Sequence, residues 1–166
     1  MSNRILKLAL IPLLLFLGGM RTEKHVVQHS SSSQPADERA AQDALPKAPS
    51  PLWEEFAKCK IGYSNQTGIY SIAVTPEVKA LAGQTVTLNG FVLPLDGSDH
   101  TKHFLLTRRT PVCMFCPPGE PNEVAEIVAP HPIVWTEKIV TVTGPLSLIN
   151  NGEKGMFFKI VASTAH

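Results

Sequence analysis

Apolar and polar positions alternate with period two through the second half of the chain, and that alternation predicts β-strands. In Val86-Thr-Leu88-Asn-Gly90-Phe-Val92, residues Val86, Leu88 and Val92 share one face. Ile139–Ile149 repeats the pattern with Val140, Val142, Leu146 and Leu148 on one side. Met156–Ala162 places Met156, Phe158 and Ile160 inward. Shorter strands are predicted over Ile69–Val74, His103–Thr107 and Glu123–Val128. Asp96-Gly97 and Asn150-Asn151-Gly152 supply turns. Short strands at this spacing predict a small closed or partly open barrel. A glycine inside each of the strands Val86–Val92 and Val140–Leu148 permits the strong bending that an OB-like barrel requires.

Ahead of the strands the period changes. Trp53, Phe56 and Ala57 recur at helical spacing within Leu52–Tyr63, and Glu54-Glu55 suits a first helical turn. Thr75-Pro76 reads as an N-cap followed by proline at the first helical position, opening a short turn to Leu81 that Gly83 ends. The expected fold class is therefore mainly β: an OB-like barrel over residues 52–164 with a short N-terminal helical extension.

The first 51 residues look different. Arg4 and Lys7 precede an apolar run, Leu8–Leu17, and then Gly18-Gly19. The run is short for a span of about 20 residues and reads as an export signal over residues 1–20. No A-x-A triplet marks a cleavage site, so cleavage near Gly19 and retention as a short membrane anchor both stay open. No cysteine stands at the end of the run to carry a lipid. Residues 21–51, with Ser30–Ser33 and Pro35, Pro46, Pro49 and Pro51, read as a disordered linker with too little apolar surface to offset ordering entropy. His25 and His29 lie four apart, but the linker offers no helix to bring them together. The expected location is outside the cytoplasm, in the periplasm or cell envelope, with membrane contact only through an uncleaved N-terminal segment.

Composition adds one exclusion. The chain has 166 residues, 43% hydrophobic and 17% charged, with a formal net charge of +1. From Pro51 onward nine Lys/Arg face ten Asp/Glu, so the barrel carries no basic field for nucleic acid. Arg108-Arg109 reads as a solvated strand end. No G-x-S-x-G elbow or glycine-rich phosphate loop is present, so the motifs favour a binding role over an enzyme and leave the thiol pair as the one candidate for catalysis.

The chemistry concentrates in Cys113-Met-Phe115-Cys116-Pro-Pro-Gly119-Glu-Pro-Asn122-Glu123. Pro117 and Pro118 fix φ, lack an N–H and push Cys116 toward an extended conformation. A redox pair of the thioredoxin kind needs its first thiol at a helix N-terminus, and the prolines deny it that helix. Two readings remain beside that weaker one. A disulfide, within the pair or to Cys59, would stiffen the loop of an exported domain. Alternatively the thiolates form half of a tetrahedral site for zinc or copper, with His100 and His103 as further ligands. His131, between Pro130 and Pro132, reads as a surface turn, and Cys59 as a small buried apolar residue. Phe115 at the loop tip, Asn122 and Glu123 are candidates for docking a partner; Asn122 also suits a turn brace and Glu123 an outer acceptor.

Several of these residues carry a resemblance. Trp53 with Phe56, Pro76-Glu-Val78-x-x-Leu81-x-Gly83, Val86-x-Leu88-x-Gly90-Phe91-x-x-Pro94, Phe104-Leu-Leu106 and Cys113-x-x-Cys116-x-x-x-x-Pro121-Asn122-Glu123 together resemble an exported bacterial family of unknown function. The resemblance spans roughly Trp53–Ser163. It implies an exported OB-like β domain, and a genomic setting near efflux-type or metal-related transporters. The expected function is an exported envelope binding module, for a soft metal or as an accessory to a transporter protein. The alternatives are a partner-docking domain with a disulfide-stiffened loop, or a thiol oxidoreductase.

Overall fold

The computed structural model describes residues 36–112 and 118–166. Three short helices, α1 (Ala36–Asp43), α2 (Pro51–Ala57) and α3 (Pro76–Ala80), and eight strands make up the described chain. The hairpin of β1 (Lys60–Ser64) and β2 (Ile69–Ala73) forms a two-stranded sheet of its own. The strands β3 (Thr85–Pro94), β4 (His100–Thr107), β5 (Val124–Val134), β6 (Val140–Asn151) and β7 (Met156–Val161) form the second sheet, edged by β8 (Thr164–Ala165).

That second sheet closes on itself. Its order is β3-β4-β5-β7-β6, and β6 pairs back to β3. All neighbours are antiparallel except β5 and β7, which run parallel through Glu126↔Lys159 and Val128↔Val161. Five strands in this order make the OB-like barrel that the alternation predicts. Closure depends on β3, which changes partner midway. Thr85–Gly90 pair with Pro145–Val140 of β6, and Phe91–Pro94 pair with Thr107–Phe104 of β4. Gly90 stands at the exchange, where a Cβ would come within 2.5 Å of the Leu106 side chain. Gly144 serves the same purpose on β6, since a Cβ there would collide with the Val161 carbonyl.

The barrel interior is apolar. Leu88, Leu106, Ile127, Val142, Leu146, Phe158 and Ile160 are fully buried, Val92 and Val140 nearly so. Val86 and Leu148, on the same predicted faces, are half-buried against this core. Helix α2 adds Trp53 and Phe56, both fully buried. The Phe56 ring stacks on Phe158 at 3.9 Å between centroids, 7° from parallel. The Trp53 indole N–H donates to the Asn89 carbonyl at 2.7 Å, meeting the need for a partner that burial imposes. Thr75 caps α3 by accepting from the Val78 N–H at 3.3 Å.

Four expectations are corrected. Helix α2 stops at Ala57, where the Lys58 and Cys59 N–H groups close the last turn, and Lys60–Ser64 is a strand paired with β2. The turn after β6 covers residues 152–155 and so begins two positions later than Asn150-Asn151-Gly152, because β6 runs to Asn151; Gly155 takes φ +62° in it. Strand β5 continues through Pro130 and Pro132. Between His103↔Val128 and Thr101↔Ile133, the single residue Lys102 faces Ala129, Pro130, His131 and Pro132, and prolines are tolerated in such a bulge. Finally, residues 36–51 of the expected linker contain α1 and a segment laid on the barrel: Gln42 and Ala48 are 1% and 3% exposed. This segment is held by polar contacts to the barrel, which a measure of apolar content does not register.

Leu88 is fully buried in the barrel core, so Leu88→Ala is expected to lower the unfolding free energy by about 2–5 kcal/mol. Denaturant unfolding of the two chains checks it; a loss under about 0.5 kcal/mol would place Leu88 outside the core.

Candidate functional site

The β4–β5 connection carries the thiol motif. Cys113, Phe115 and Cys116 lie outside the described residues, whereas both stems of the loop, up to Val112 and from Pro118, are described. The stems are clamped. Pro121–Glu123 form one 3-10 turn in which a capping box links Glu120 and Glu123 reciprocally; the Glu120 N–H donates to Glu123 Oε2 at 3.2 Å. Arg109 Nε donates to the same Glu123 carboxylate at 2.5 Å, and the Arg108 N–H donates to the Glu123 carbonyl at 2.9 Å. Glu123, 7% exposed, thereby binds one stem to the other.

The N-terminal segment lies across this base as a strap. Arg109 also pairs with Asp43, and Arg39 with Glu120 at 3.3 Å. The Gln42 amide donates to the Thr110 carbonyl at 3.1 Å, Thr110 Oγ1 to the Pro46 carbonyl at 2.7 Å, and the Ala48 N–H to the Arg108 carbonyl at 2.8 Å. Arg108 reaches Glu54 on α2. Arg108-Arg109 is thus the centre of an ion-pair network, not a solvated strand end; their side chains are only 17% and 12% exposed.

Asn122 and Glu123 are both engaged within the fold. The Asn122 amide donates to the Cys59 carbonyl at 3.0 Å and braces the loop against the end of α2. Cys59 itself is a free thiol, 2% exposed within the apolar core. It is bonded to no other cysteine, which corrects the disulfide to Cys59 that the sequence allows.

His100 and His103 stand at the start of β4, and the thiol loop leaves from its far end. Thr107 stands four positions beyond His103 along the strand, about 13 Å at the usual strand rise. His103 Nε2 lies 2.7 Å from Glu126 Oε1, and Lys159 Nζ donates to the same oxygen at 3.2 Å. Among the described residues, no three His, Cys, Asp or Glu side chains gather as a metal site. Partial burial pushes the Glu126 carboxyl up, but its bonds with His103 and Lys159 outweigh that and hold it below the usual carboxylate range.

Beside the loop lies a cavity of about 540 Å³. Phe91 and Leu93 line it together with Pro46 of the strap, Pro111 and Val112 of the loop stem, and Trp135 of the β5–β6 connection. Val112 and Trp135 remain 44% and 43% exposed, so an apolar groove opens next to the stem of the thiol loop. The clamp and this groove were missed in the sequence because their members are isolated polar residues and prolines, far apart in the chain.

The closed five-strand order and the clamped connection define a small OB-like barrel domain. A model for the "Protein of unknown function (DUF3299)" family matches residues 23–157, and the chain belongs to that family. It is similar to a crystal structure of a DUF3299 family protein from Pseudomonas aeruginosa PAO1, at 22% identity over 82% of this chain and 90% of that one, with a TM-score of 0.48. No curated protein matches the chain.

Two outcomes follow from the charges. Glu123→Ala leaves the nearly buried Arg109 with Asp43 alone and is expected to destabilise by roughly 3 kcal/mol, whereas Glu54→Ala, at an exposed partner, costs less than about 1 kcal/mol. Denaturant unfolding separates them. Glu126 has a lowered folded pKa, so its stabilisation is present above the ordinary carboxylate range and is lost as pH falls through the folded value. Glu126→Gln should therefore be less stable than the unmodified chain at pH near 7, with the gap closing below about pH 4. A constant gap across that range would show that the ion pairs do not carry it.

Proposed function

We propose that the chain is an exported binding domain of the cell envelope, non-catalytic, in which Cys113 and Cys116 hold a soft metal ion, zinc or Cu(I), in the service of a transporter or another envelope protein. The observation that carries this reading is the burial of Cys59. Of three cysteines, one is a free thiol sealed in the core, which leaves the loop pair to each other or to an ion. The clamp adds to it: a loop whose two stems are tied by Glu123 and strapped by residues 39–48 starts with less freedom to lose when its thiolates converge on one ion. Thiolates select Zn and Cu(I) over the hard cations. His103 is already bonded to Glu126, so it is not counted among the ligands. No described helix is long and apolar enough to cross a membrane, and the N-terminal apolar run supplies the export signal or anchor in this reading.

A second reading is favoured by the groove beside the loop. There Cys113 and Cys116 form a disulfide, and the apolar walls of Val112 and Trp135, with Phe115, dock a partner protein. Elemental analysis combined with thiol counting on protein exported to the periplasm decides between them. The metal reading expects stoichiometric zinc or copper, three titratable thiols after denaturation with chelator, and loss of metal in Cys113→Ser. A metal-free protein with Cys59 as its only titratable thiol would sink it in favour of the docking domain.

A further inference from the structure

We propose that His131 and His166 form a separate site that takes a borderline divalent transition-metal ion, such as nickel, zinc or copper(II), through two imidazoles. Both residues line one cavity of about 310 Å³, together with Pro130, Pro132, Ser163 and Thr164. They stand on neighbouring segments that leave the parallel pair of β5 and β7, and each is held by backbone constraints.

His131 comes from the bulge of β5. Four residues there, Ala129–Pro132, stand opposite the single residue Lys102, and bulges of this kind re-aim a side chain out of the regular alternation. Prolines on both sides of His131 fix their own φ and restrict that of the residue before each, so the imidazole is carried on a stiff backbone. His166 comes from the segment after β7. Its N–H donates to the Thr141 carbonyl at 3.1 Å and its carbonyl accepts from the Thr141 N–H at 2.8 Å. Ser163 is fixed to the Thr143 carbonyl twice, through its N–H at 2.7 Å and its hydroxyl at 2.9 Å. The Ala162 N–H donates to the Val128 carbonyl at 2.8 Å, which ties this segment to the strand that bears the bulge.

The lining chemistry narrows the ligand. Among the described residues, the ionisable side chains of the cavity are the two imidazoles; no Asp, Glu, Lys or Arg side chain lines it. Calcium and magnesium favour sets of Asp and Glu side chains, which the lining does not contain. Neutral imidazole suits zinc, copper and nickel. Both histidines are exposed, so an ion held by two protein ligands keeps further positions open to water or to a ligand on another molecule. The site is independent of the thiol loop and stands whether or not that loop binds a metal.

Nickel titration tests it, by calorimetry on the full chain with Cys113→Ser and Cys116→Ser so that the loop thiols do not compete. The expected result is saturable binding that His131→Ala and His166→Ala each weaken by at least about tenfold, the loss that removing even an outer partner of a metal ligand produces. His100→Ala is expected to leave the affinity unchanged. Imidazole proton resonances of the same chain without the histidine substitutions give a second measure: those of His131 and His166 should broaden together at substoichiometric paramagnetic nickel. Unchanged affinity in either alanine variant, earlier broadening at His100 or His103, or histidine-dependent binding of sulfate in place of nickel would overturn the proposal.

Discussion

The change of partner along β3 is the constraint on which the barrel rests. A ten-residue strand that paired with one neighbour throughout would give an open sheet with two exposed edges. Here its first part serves β6 and its second part β4, and Gly90 is the residue that lets the strand bend between them without a side chain striking Leu106. Closure then creates the interior that Leu88, Val142, Leu146 and Phe158 fill. The interior in turn gives α2 something to cover, which it does through the Phe56–Phe158 stack and the Trp53–Asn89 bond. The end of α2 is where Asn122 finds the Cys59 carbonyl. The base of the thiol loop is thus fixed to the same helix that covers the core.

Legibility in the sequence followed the range of the interactions. The strands with a two-sided pattern, Val86–Val92 and Val140–Leu148, were readable because one face meets the core and the other meets water, and each glycine marked a bend. The helix of Trp53 and Phe56 was readable from its spacing. Strand β1 was not, because Lys60-Ile-Gly-Tyr-Ser has no alternating burial: every described position in it is half-buried or exposed. The continuation of β5 through Pro-His-Pro was hidden because prolines argue against a strand unless a bulge frees their positions from the ladder, and a bulge is set by the partner strand. Gln42, Asp43 and Arg39 looked like solvated linker because what buries or pairs them, Thr110, Arg109 and Glu120, lies more than sixty residues away.

The thiol motif itself was legible as chemistry from local residues alone: two cysteines, then prolines. Its surroundings were not. The sequence could set His100 and His103 beside it as ligands by proximity in the chain, but β4 carries the loop and the histidines at opposite ends, and Glu126 and Lys159 meet His103 across neighbouring strands. In the same way, His131 and His166 share no local pattern, yet the bulge and the last backbone bonds of the fold bring them to one cavity.

The clamp also has a temporal meaning. Its bonds join residues 81, 66 and 68 positions apart in Arg39–Glu120, Asp43–Arg109 and Gln42–Thr110, while the hairpin of β3 and β4 closes between Pro94 and Phe104, ten positions apart. Chain entropy must be surrendered before such distant contacts return anything, so they form late relative to local pairings. The strap is synthesised before the surface it binds, because the carbonyls and charges it meets do not exist as a surface until β4 and the turn at Pro121–Glu123 are in place. The stems of the thiol loop therefore have two sets of ties: the short-range ones of Glu123 to Arg108 and Arg109, and the long-range ones that only a docked strap, residues 39–48, can add.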